Sequence, residues 1–464
     1  MDTVREDITK EKVDLSLDNE EFIKRYGRKK TVAISTVGCK VNQYESEAVS
    51  ELFENAGYRF VDFEEKADVY VINTCNVTGI SARKSRQMIR KAKNLNENAI
   101  VVVMGCYSQA SPEEVNSIPD VNLIIGTSNR RNIIEYINEI ASGPAPEKKK
   151  VNLVGNIMKT RDFEELKVEK FKNRTRAYLK IQEGCSQFCS YCIIPYARGP
   201  IRSRNPQDVI NEVRKLAANG FKEIILTGIH IASYGKDLKN TSLLDIICRI
   251  HEIGGIERIR LSSIEPTIIT SEFVNRVKDL EKLCPHYHIS LQSGCDETLK
   301  RMNRRYTTRE YREVVERLRS NIDDVAITTD VMVGFPGETD LEFEQTYKFL
   351  EEICFAKMHV FKFSPRKGTP AYSFENQVPG RVKEERSNRL IELSSRCALK
   401  FHRNFIGRVM PVLFEQACDQ PGFYEGLTPN YIRVICEGDE SLKGEIKDVL
   451  MTDAEDGFMR GRVC

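Results

Sequence analysis

Residues 183–192 read Glu183-Gly-Cys185-Ser-Gln-Phe-Cys189-Ser-Tyr-Cys192, directly after an apolar run at 177–181. The apolar run predicts a strand, and Gly184, Ser186 and Ser190 place the cysteines in the loop that follows. Three thiols this close cannot all pair as disulfides. Structural zinc takes four ligands, commonly as two pairs, so three in one run suit it poorly. Soft thiolates also hold iron–sulfur clusters, and three ligands on a cubane leave one iron open to a substrate. Two readings compete with this one: three buried cysteines without a ligand, and a zinc knuckle completed by a distant residue.

At 464 residues the chain predicts more than one domain. Its 41% apolar residues can fill cores, and its 30% charged residues predict a soluble surface. A formal net charge of +2 gives no global attraction to nucleic acid, so such a partner has to be read from local clusters. No apolar run approaches the roughly 20 residues of a membrane helix, so no membrane contact is expected. The charged first 30 residues hold no apolar signal core. Fourteen cysteines without such a signal predict a reducing, cytoplasmic setting in which metal sites outrank disulfides.

Residues 1–28 mix acids and bases and read as an extension, a tail or a short helix. From 29 to 142 the pattern alternates, with strands at 31–36, 68–72, 99–104 and 122–125 and helices at 45–56, 81–94 and 131–141. The alternation predicts an α/β domain with a parallel, flavodoxin-like sheet. Cys39, Cys75 and Cys106 each follow one of the first three strands. Carboxyl ends of parallel strands share one edge, where open α/β sheets bind ligands, so these thiols are expected to converge. Gly38 and Gly105 would allow tight turns beside a bulky group. A second cluster with three protein ligands is the sharper reading, and separate buried cysteines are the alternative. Helix 81–94 carries Arg83, Lys84, Arg86, Arg90, Lys91 and Lys93 and no acid. Arg83, Arg86, Arg90 and Lys93 share a face, which points to phosphate contact rather than a merely solvated surface.

Residues 143–173 read as a polar, Pro-containing linker with a short strand near 151–154. From 174 to 398 the alternation runs six times, with strands at 177–181, 223–227, 258–262, 288–291, 326–333 and 357–363. Helices are expected at 206–218, 243–253, 308–318 and 340–353, with starts at Asn205 and Thr339. Six units are too few for a closed eight-stranded barrel and predict a partial (βα)6 barrel with chemistry at the strand ends. Those ends carry Thr227-Gly228, Ser263 with Glu265, Gln292-Ser293 and Val333-Gly334. Turn formers and helix caps are the plainer reading of each. His230 and His288 lie in the same zone without an assigned role. Arg198, Arg202 and Arg204 follow the cysteine loop, and Lys300, Arg301, Arg304, Arg305 and Arg309 accompany Asn303 and Tyr306. Such clusters suit RNA phosphates and stacked bases, with surface salt bridges as the alternative. A helix at 382–406 precedes strands at 409–415, 431–436, 442–449 and 458–462, with turns at 422–426 and 437–439. A small antiparallel all-β barrel over 399–464 follows, with Phe423, Tyr424, Tyr431 and Arg433 as candidate RNA contacts.

The Cys185-x-x-x-Cys189-x-x-Cys192 run resembles the signature of radical S-adenosylmethionine (SAM) enzymes. With three further cysteines upstream, residues 31–464 resemble the radical SAM methylthiotransferase family. The resemblance implies a radical-SAM barrel, a TRAM-like RNA-binding C-terminal barrel, SAM and two 4Fe–4S clusters. Cys185, Cys189 and Cys192 would hold the cluster that chelates SAM, and Cys39, Cys75 and Cys106 the auxiliary one. Tyr191, Val333 and Gly334 would lie near the adenine. Thr227 and Gly228 would meet the SAM amino group, and Ser263 and Glu265 its carboxylate and ribose. Gln292 and Ser293 would be among the remaining contacts. In the family's scheme one SAM methylates sulfur at the auxiliary cluster and a second yields a radical. A C–H bond at an aromatic carbon is not acidic, so a radical route suits it.

Gly38-Cys-Lys-Val-Asn-Gln-Tyr-Glu-Ser46 and the stretch from Pro285 through Cys295 to Tyr306 look like the branch acting on threonylcarbamoyladenosine beside the anticodon of tRNA. The isopentenyladenosine branch usually has Gln-Met-Asn where this chain has Lys40-Val41-Asn42. The implied partners are tRNA, contacted by Arg83, Arg86, Arg90, Arg202, Arg204, Arg304 and Arg305, and a reductant protein such as flavodoxin or ferredoxin. A monomer is expected. An isopentenyladenosine tRNA, an aspartate of a ribosomal protein, and a non-catalytic RNA-binding protein with zinc in the cysteine sites stay open.

Overall fold

The computed structural model describes residues 13–143, 149–168 and 175–464. Part of the expected extension, 1–12, and parts of the expected linker, 144–148 and 169–173, lie outside the described residues. The chain divides into two compact units. The first takes the residues up to 168 with Gly184–Ser186 and Ile193–Pro200, and the second takes Gln187–Cys192, Ile201–Cys464 and the strand that ends at Glu183.

The first unit is built on six parallel strands: β1 (Thr31–Thr36), β2 (Arg59–Phe60), β3 (Val69–Thr74), β4 (Ile100–Gly105), β5 (Leu123–Ile124) and β6 (Val151–Asn152), in the order β2-β1-β3-β4-β5-β6. This is the flavodoxin-like order extended by one strand. β3 and β4 are buried along their whole length, which explains their continuous apolar runs. Alternate residues face opposite cores. Val69, Val71, Ile100 and Val102 pack with Phe22, Phe53 and Ile137. Tyr70, Ile72, Val101 and Val103 pack with Ala82, Ile89 and Val115. Helices Asn19–Tyr26, Lys40–Asn55 and Ile133–Ala141 cover the first face, and Gly79–Leu95 covers the second. Two expectations change here. The helix after Cys39 begins at Lys40, because Gln43 N–H already bonds Cys39 O. The short strand expected near 151–154 is β6, but the stretch around it is not solvated as a linker would be, for Ile157, Leu166 and Val168 are buried.

The second unit opens with β7 (Arg176–Glu183), β8 (Arg202–Ser203), β9 (Glu223–Gly228), β10 (Arg258–Leu261), β11 (His286–His288), β12 (Ala326–Val333) and β13 (Lys357–Lys362). Six run parallel in the order β7-β9-β10-β11-β12-β13, with single bridges Ile259–Leu283 and Ile264–Ile289 joining β10 to the β11 segment. β8 pairs antiparallel on β7. Among the described residues no ladder joins β13 to β7, so the arc stays open. The fourth strand ends at His288, earlier than expected, and Gln292 turns to φ 72°. The expected caps hold: Asn205 accepts from Gln207 N–H, and Thr339 forms a reciprocal capping box with Glu342.

Helix Gly380–Arg403 leads into a closed barrel of β14 (Val409–Ala417), β15 (Phe423–Leu427), β16 (Arg433–Glu437), β17 (Ile446–Glu455) and β18 (Phe458–Val463). Residues 422–426, expected as a turn, form most of β15. Gly426 is a strand glycine, since a Cβ there would stand 2.5 Å from Leu413 O. The barrel is not wholly antiparallel, for β16 and β18 run parallel. Arg258 and Arg260 reach barrel carbonyls of Leu427, Pro411, Pro429 and Thr428. Tyr431, expected at RNA, stacks on His286 at 4.6 Å under the Arg260 guanidinium.

Candidate functional site

β1, β3 and β4 are neighbours in the first sheet, and the chain leaves the carboxyl end of each through a cysteine. Cys39 is the N-cap of helix Lys40–Asn55, Cys75 follows the last residue of β3, and Cys106 opens the short helix Cys106–Ala110. Gly38 and Gly105 have φ of 136° and 101°. A Cβ on Gly38 would lie 3.2 Å from Cys75 Cβ, and one on Gly105 would lie 2.7 Å from Thr74 O. Only glycine lets both outer turns press this closely on the Cys75 turn. The three thiols act on one another electrostatically. Cys75 and Cys106 are buried, and Cys39 keeps exposed surface while protein packs round its sulfur. Burial pushes the Cys106 thiol up to about 12 against the pull of Arg198, and pushes Cys39 up in the same way. A metal entering here displaces protons from thiols. Among the described residues no three Cys, His, Asp or Glu side chains close round a single metal ion. Three converging soft ligands fit a wider iron–sulfur body better than structural zinc, which wants four.

The second cysteine run is irregular backbone, as expected. Cys185 N–H bonds Gly199 O at 3.0 Å, and a Cβ on Gly184 would strike Pro200 O. Cys192 N–H bonds Cys189 O. Ser190 is held on three sides, by Met302 O, Arg301 O and Ala371 N–H. Tyr191 packs against the cluster of Met302, Phe335, Phe363 and Ala371, its ring edge-on to Phe335 at 6.4 Å. Arg304, expected at RNA, is drawn inward. It donates to Cys189 Sγ at 3.3 Å, to Glu265 at 2.9 and 3.0 Å and to Tyr306 Oη at 2.9 Å.

The strand-end residues divide. Ser263 is exposed and bonds the Ser290 hydroxyl at 2.8 Å, and Glu265 stands 3.8 Å from His230 Nε2. Gln292 is half-buried, and Gly334, at φ 70°, gives its N–H to Glu338. Gly228 is held close to Gln182 O, where a Cβ would come within 2.9 Å. Three expected contacts are side chains turned into the fold. Thr227 and Val333 are buried, and Ser293 bonds Thr346 and receives Cys295 N–H, a local cap. His230 is buried with Nδ1 on the Ser233 hydroxyl, and burial depresses its pKa to about 4. His288 is tied to Thr328 at 2.9 Å and to Asp330 at 3.2 Å.

The basic residues also divide. Arg83, Lys84 and Arg90 are exposed on helix Gly79–Leu95. Arg86 donates to Tyr107 Oη, Lys91 pairs with Glu64, and Lys93 binds the carbonyls of Glu97 and Ala99. Arg305 is exposed. Arg202 and Arg204 are buried, Arg204 paired with Glu212 at 2.6 Å, which removes them from any phosphate surface. Arg198 is wholly buried and bonds Cys106 Sγ. Asn42 and Glu45, which join it there, lie in the 38–46 stretch quoted for the resemblance, but neither was assigned a role beside the cysteines from the sequence. Their one local signal was two polar residues on a helix face turned toward a core. Cavities of 320 to 510 Å³ elsewhere include none of these residues.

No helix among the described residues is long and apolar enough to cross a membrane. Residues 179–350 match the model of the radical SAM superfamily, and residues 31–126 that of the uncharacterized protein family UPF0004. The chain is similar to the threonylcarbamoyladenosine tRNA methylthiotransferase MtaB of Bacillus subtilis, 44% identical over 436 residues covering 93% of this chain and 96% of that one. It is 39% identical to the MtaB of Thermotoga maritima, over 83% and 87% of the two chains. A tRNA-2-methylthio-N(6)-dimethylallyladenosine synthase of Clostridium botulinum is 38% identical over 82% and 85%. Among solved structures, the radical SAM methyltransferase TsrM of Kitasatospora setae aligns at TM-score 0.53 and 17% identity over 74% and 75%, a likeness of fold. A radical SAM enzyme of this kind uses SAM and a 4Fe–4S cluster, and methylthiotransferases carry a second cluster. The chain belongs to the radical SAM methylthiotransferase family.

Proposed function

We propose that this methylthiotransferase acts on tRNA, converting N6-threonylcarbamoyladenosine beside the anticodon to its 2-methylthio derivative. The observation that carries the reading is the pair of cysteine sets: Cys39, Cys75 and Cys106 at the ends of three adjacent strands, and Cys185, Cys189 and Cys192 in one run. The substrate is read from two MtaB relatives, 44% and 39% identical, whose likeness spans 93% and 83% of this chain.

Bound clusters and SAM supply a carbon-centred radical and the sulfur to be transferred. The chain's own residues hold, orient and exclude. Cys185, Cys189 and Cys192 hold the SAM-binding cluster, and Cys39, Cys75 and Cys106 the auxiliary one. Tyr191 closes the apolar side of the SAM site. Gly228, Gln292 and Gly334 offer it backbone at close approach, with Ser263 and Glu265 as its polar partners. Arg83, Lys84, Arg90 and Arg305 supply phosphate contacts. Residues 29–142 carry the auxiliary site, 174–398 the radical chemistry and 399–464 an RNA-binding barrel. A reductant protein such as flavodoxin or ferredoxin delivers electrons, and the enzyme works as a cytoplasmic monomer.

The test is reconstitution without oxygen, followed by SAM, dithionite and tRNA that lacks the methylthio group. The reading expects 5′-deoxyadenosine together with 2-methylthio-threonylcarbamoyladenosine. Modification of dimethylallyladenosine instead would move the substrate to the other tRNA branch, and absence of 5′-deoxyadenosine would sink the radical reading.

A further inference from the structure

The helix Ile194–Arg198 ends in an arginine with no exposed surface. Its Nε donates to Cys106 Sγ at 3.0 Å. One terminal nitrogen donates to Glu45 at 2.5 Å, and the other to Glu45 at 3.1 Å and to Asn42 Oδ1 at 3.0 Å. Asn42 extends the contacts. Its amide nitrogen donates to Val37 O at 3.1 Å and Thr74 O at 3.0 Å, and its carbonyl oxygen accepts from the Cys39 thiol at 3.5 Å. Arg198 and Asn42 together therefore touch all three cysteine-bearing turns. Glu45 is wholly buried and also pairs with Arg130 at 2.5 Å, and Arg130 pairs with Glu164. Two guanidinium groups face two carboxylates, so no net charge is buried. That balance makes the arrangement tolerable in a low dielectric.

A buried ion pair can be merely structural. What sets this one apart is the direction of Nε–H, onto the sulfur of one proposed ligand out of three. Arginine stays charged at every working pH, so the donor is permanent. Hydrogen bonds to ligand sulfur favour the reduced, more negative state of an iron–sulfur cluster and raise its potential. Partners of this kind also hold a ligand in position, and their loss weakens metal binding. We propose that Arg198 is a positioning residue of the auxiliary cluster, fixing the Cys106 sulfur and raising the cluster's reduction potential, with Asn42 and Glu45 holding the guanidinium in register. The inference rests on the reading of Cys39, Cys75 and Cys106 as ligands of that cluster.

The test starts from the full chain with Cys185, Cys189 and Cys192 changed to Ala, which leaves the auxiliary site alone. Arg198→Met, Arg198→Lys and Arg130→Met are added singly, and Arg198→Met is also combined with Glu45→Gln to keep the buried charges even. Iron and sulfide per chain, midpoint potential by EPR titration, iron loss to a chelator and thermal unfolding are read on each. Arg198→Met, alone or with Glu45→Gln, should lower the potential and weaken iron retention roughly 10- to 100-fold. Arg130→Met should reduce stability without moving the potential. Arg198→Lys should hold the fold, because it still faces Glu45, yet fail to restore the parent potential. Equal potentials in parent and folded Arg198 variants would overturn the proposal and leave the ligand reading standing. A parent that takes up no iron would overturn both.

Discussion

Gly105→Ala is the sharpest perturbation of the auxiliary site. Gly105 sits at φ 101°, ψ −159°, a region open essentially to glycine alone. Forcing an alanine into it costs roughly 1–3 kcal/mol of backbone strain. The new Cβ would also lie 2.5 Å from Asn73 Oδ1, 2.7 Å from Thr74 O and 3.0 Å from Thr74 N. Two of those atoms are backbone of β3, itself bonded along β1 and β4, so they cannot step aside. Overpacking of this kind adds about 1–3 kcal/mol. The total of about 2–6 kcal/mol is relieved most directly by moving the Cys106 turn away from the Cys75 turn. The expected variant is folded, loses iron from the auxiliary site and still forms 5′-deoxyadenosine from SAM without methylthiolating tRNA. Iron analysis, product mass spectrometry and a thermal melt read these together. Gly27→Ala is the comparator, since Gly27 also has positive φ but a Cβ there meets nothing. Gly105→Ala with full iron and parental methylthiolation would refute the close-approach argument.

Three further outcomes follow from the same structure. Glu223 faces Arg260 at 2.7 Å with Arg176 and Arg258 at 3.7 Å; burial pushes its carboxyl up, but the arginines pull it down further, below the ordinary range. Glu223→Ala strands those cations and should cost about 3–5 kcal/mol in urea unfolding, and in the parent this contribution should be lost as pH falls below the ordinary carboxylate range. His230, held near 4 by burial, refuses a proton that the unfolded chain accepts, so stability should decline as pH drops from about 6.5 toward 4. His230→Gln should flatten that decline, and an unchanged slope would contradict it. Arg83→Gln with Arg90→Gln should weaken tRNA binding and lower its salt slope by roughly 1 to 2, while Arg204→Gln should instead lower stability.

The parts of the fold that repeat were legible in the sequence. The apolar runs of β1, β3, β4, β7, β9 and β12 have the length and apolar content that a buried parallel strand requires, and cysteines stand just beyond β1, β3, β4 and β7. β11 is only His-Tyr-His and β13 is largely exposed, so neither shows such a run. The two-residue strand β2 is too short to show any period, and the equally short β6 showed only as a short strand near 151–154. β15 was masked by Gly422 just before it and Gly426 within it, the latter a close-packing residue against Leu413. The arginines were the main error. Arg204 finds Glu212 eight positions on, but Arg304 finds Glu265 and Arg198 finds Glu45 across 39 and 153 positions. Sequence shows a positive charge, and only tertiary structure shows whether a carboxylate already answers it.

The most direct measurement is mass spectrometry of nucleosides from total tRNA, taken from cells with and without the gene for this chain. The account predicts that 2-methylthio-threonylcarbamoyladenosine disappears without the gene, that threonylcarbamoyladenosine accumulates, and that other methylthio-nucleosides are unchanged. Persistence of 2-methylthio-threonylcarbamoyladenosine at its parental level, in cells with no second gene for the same modification, would contradict it.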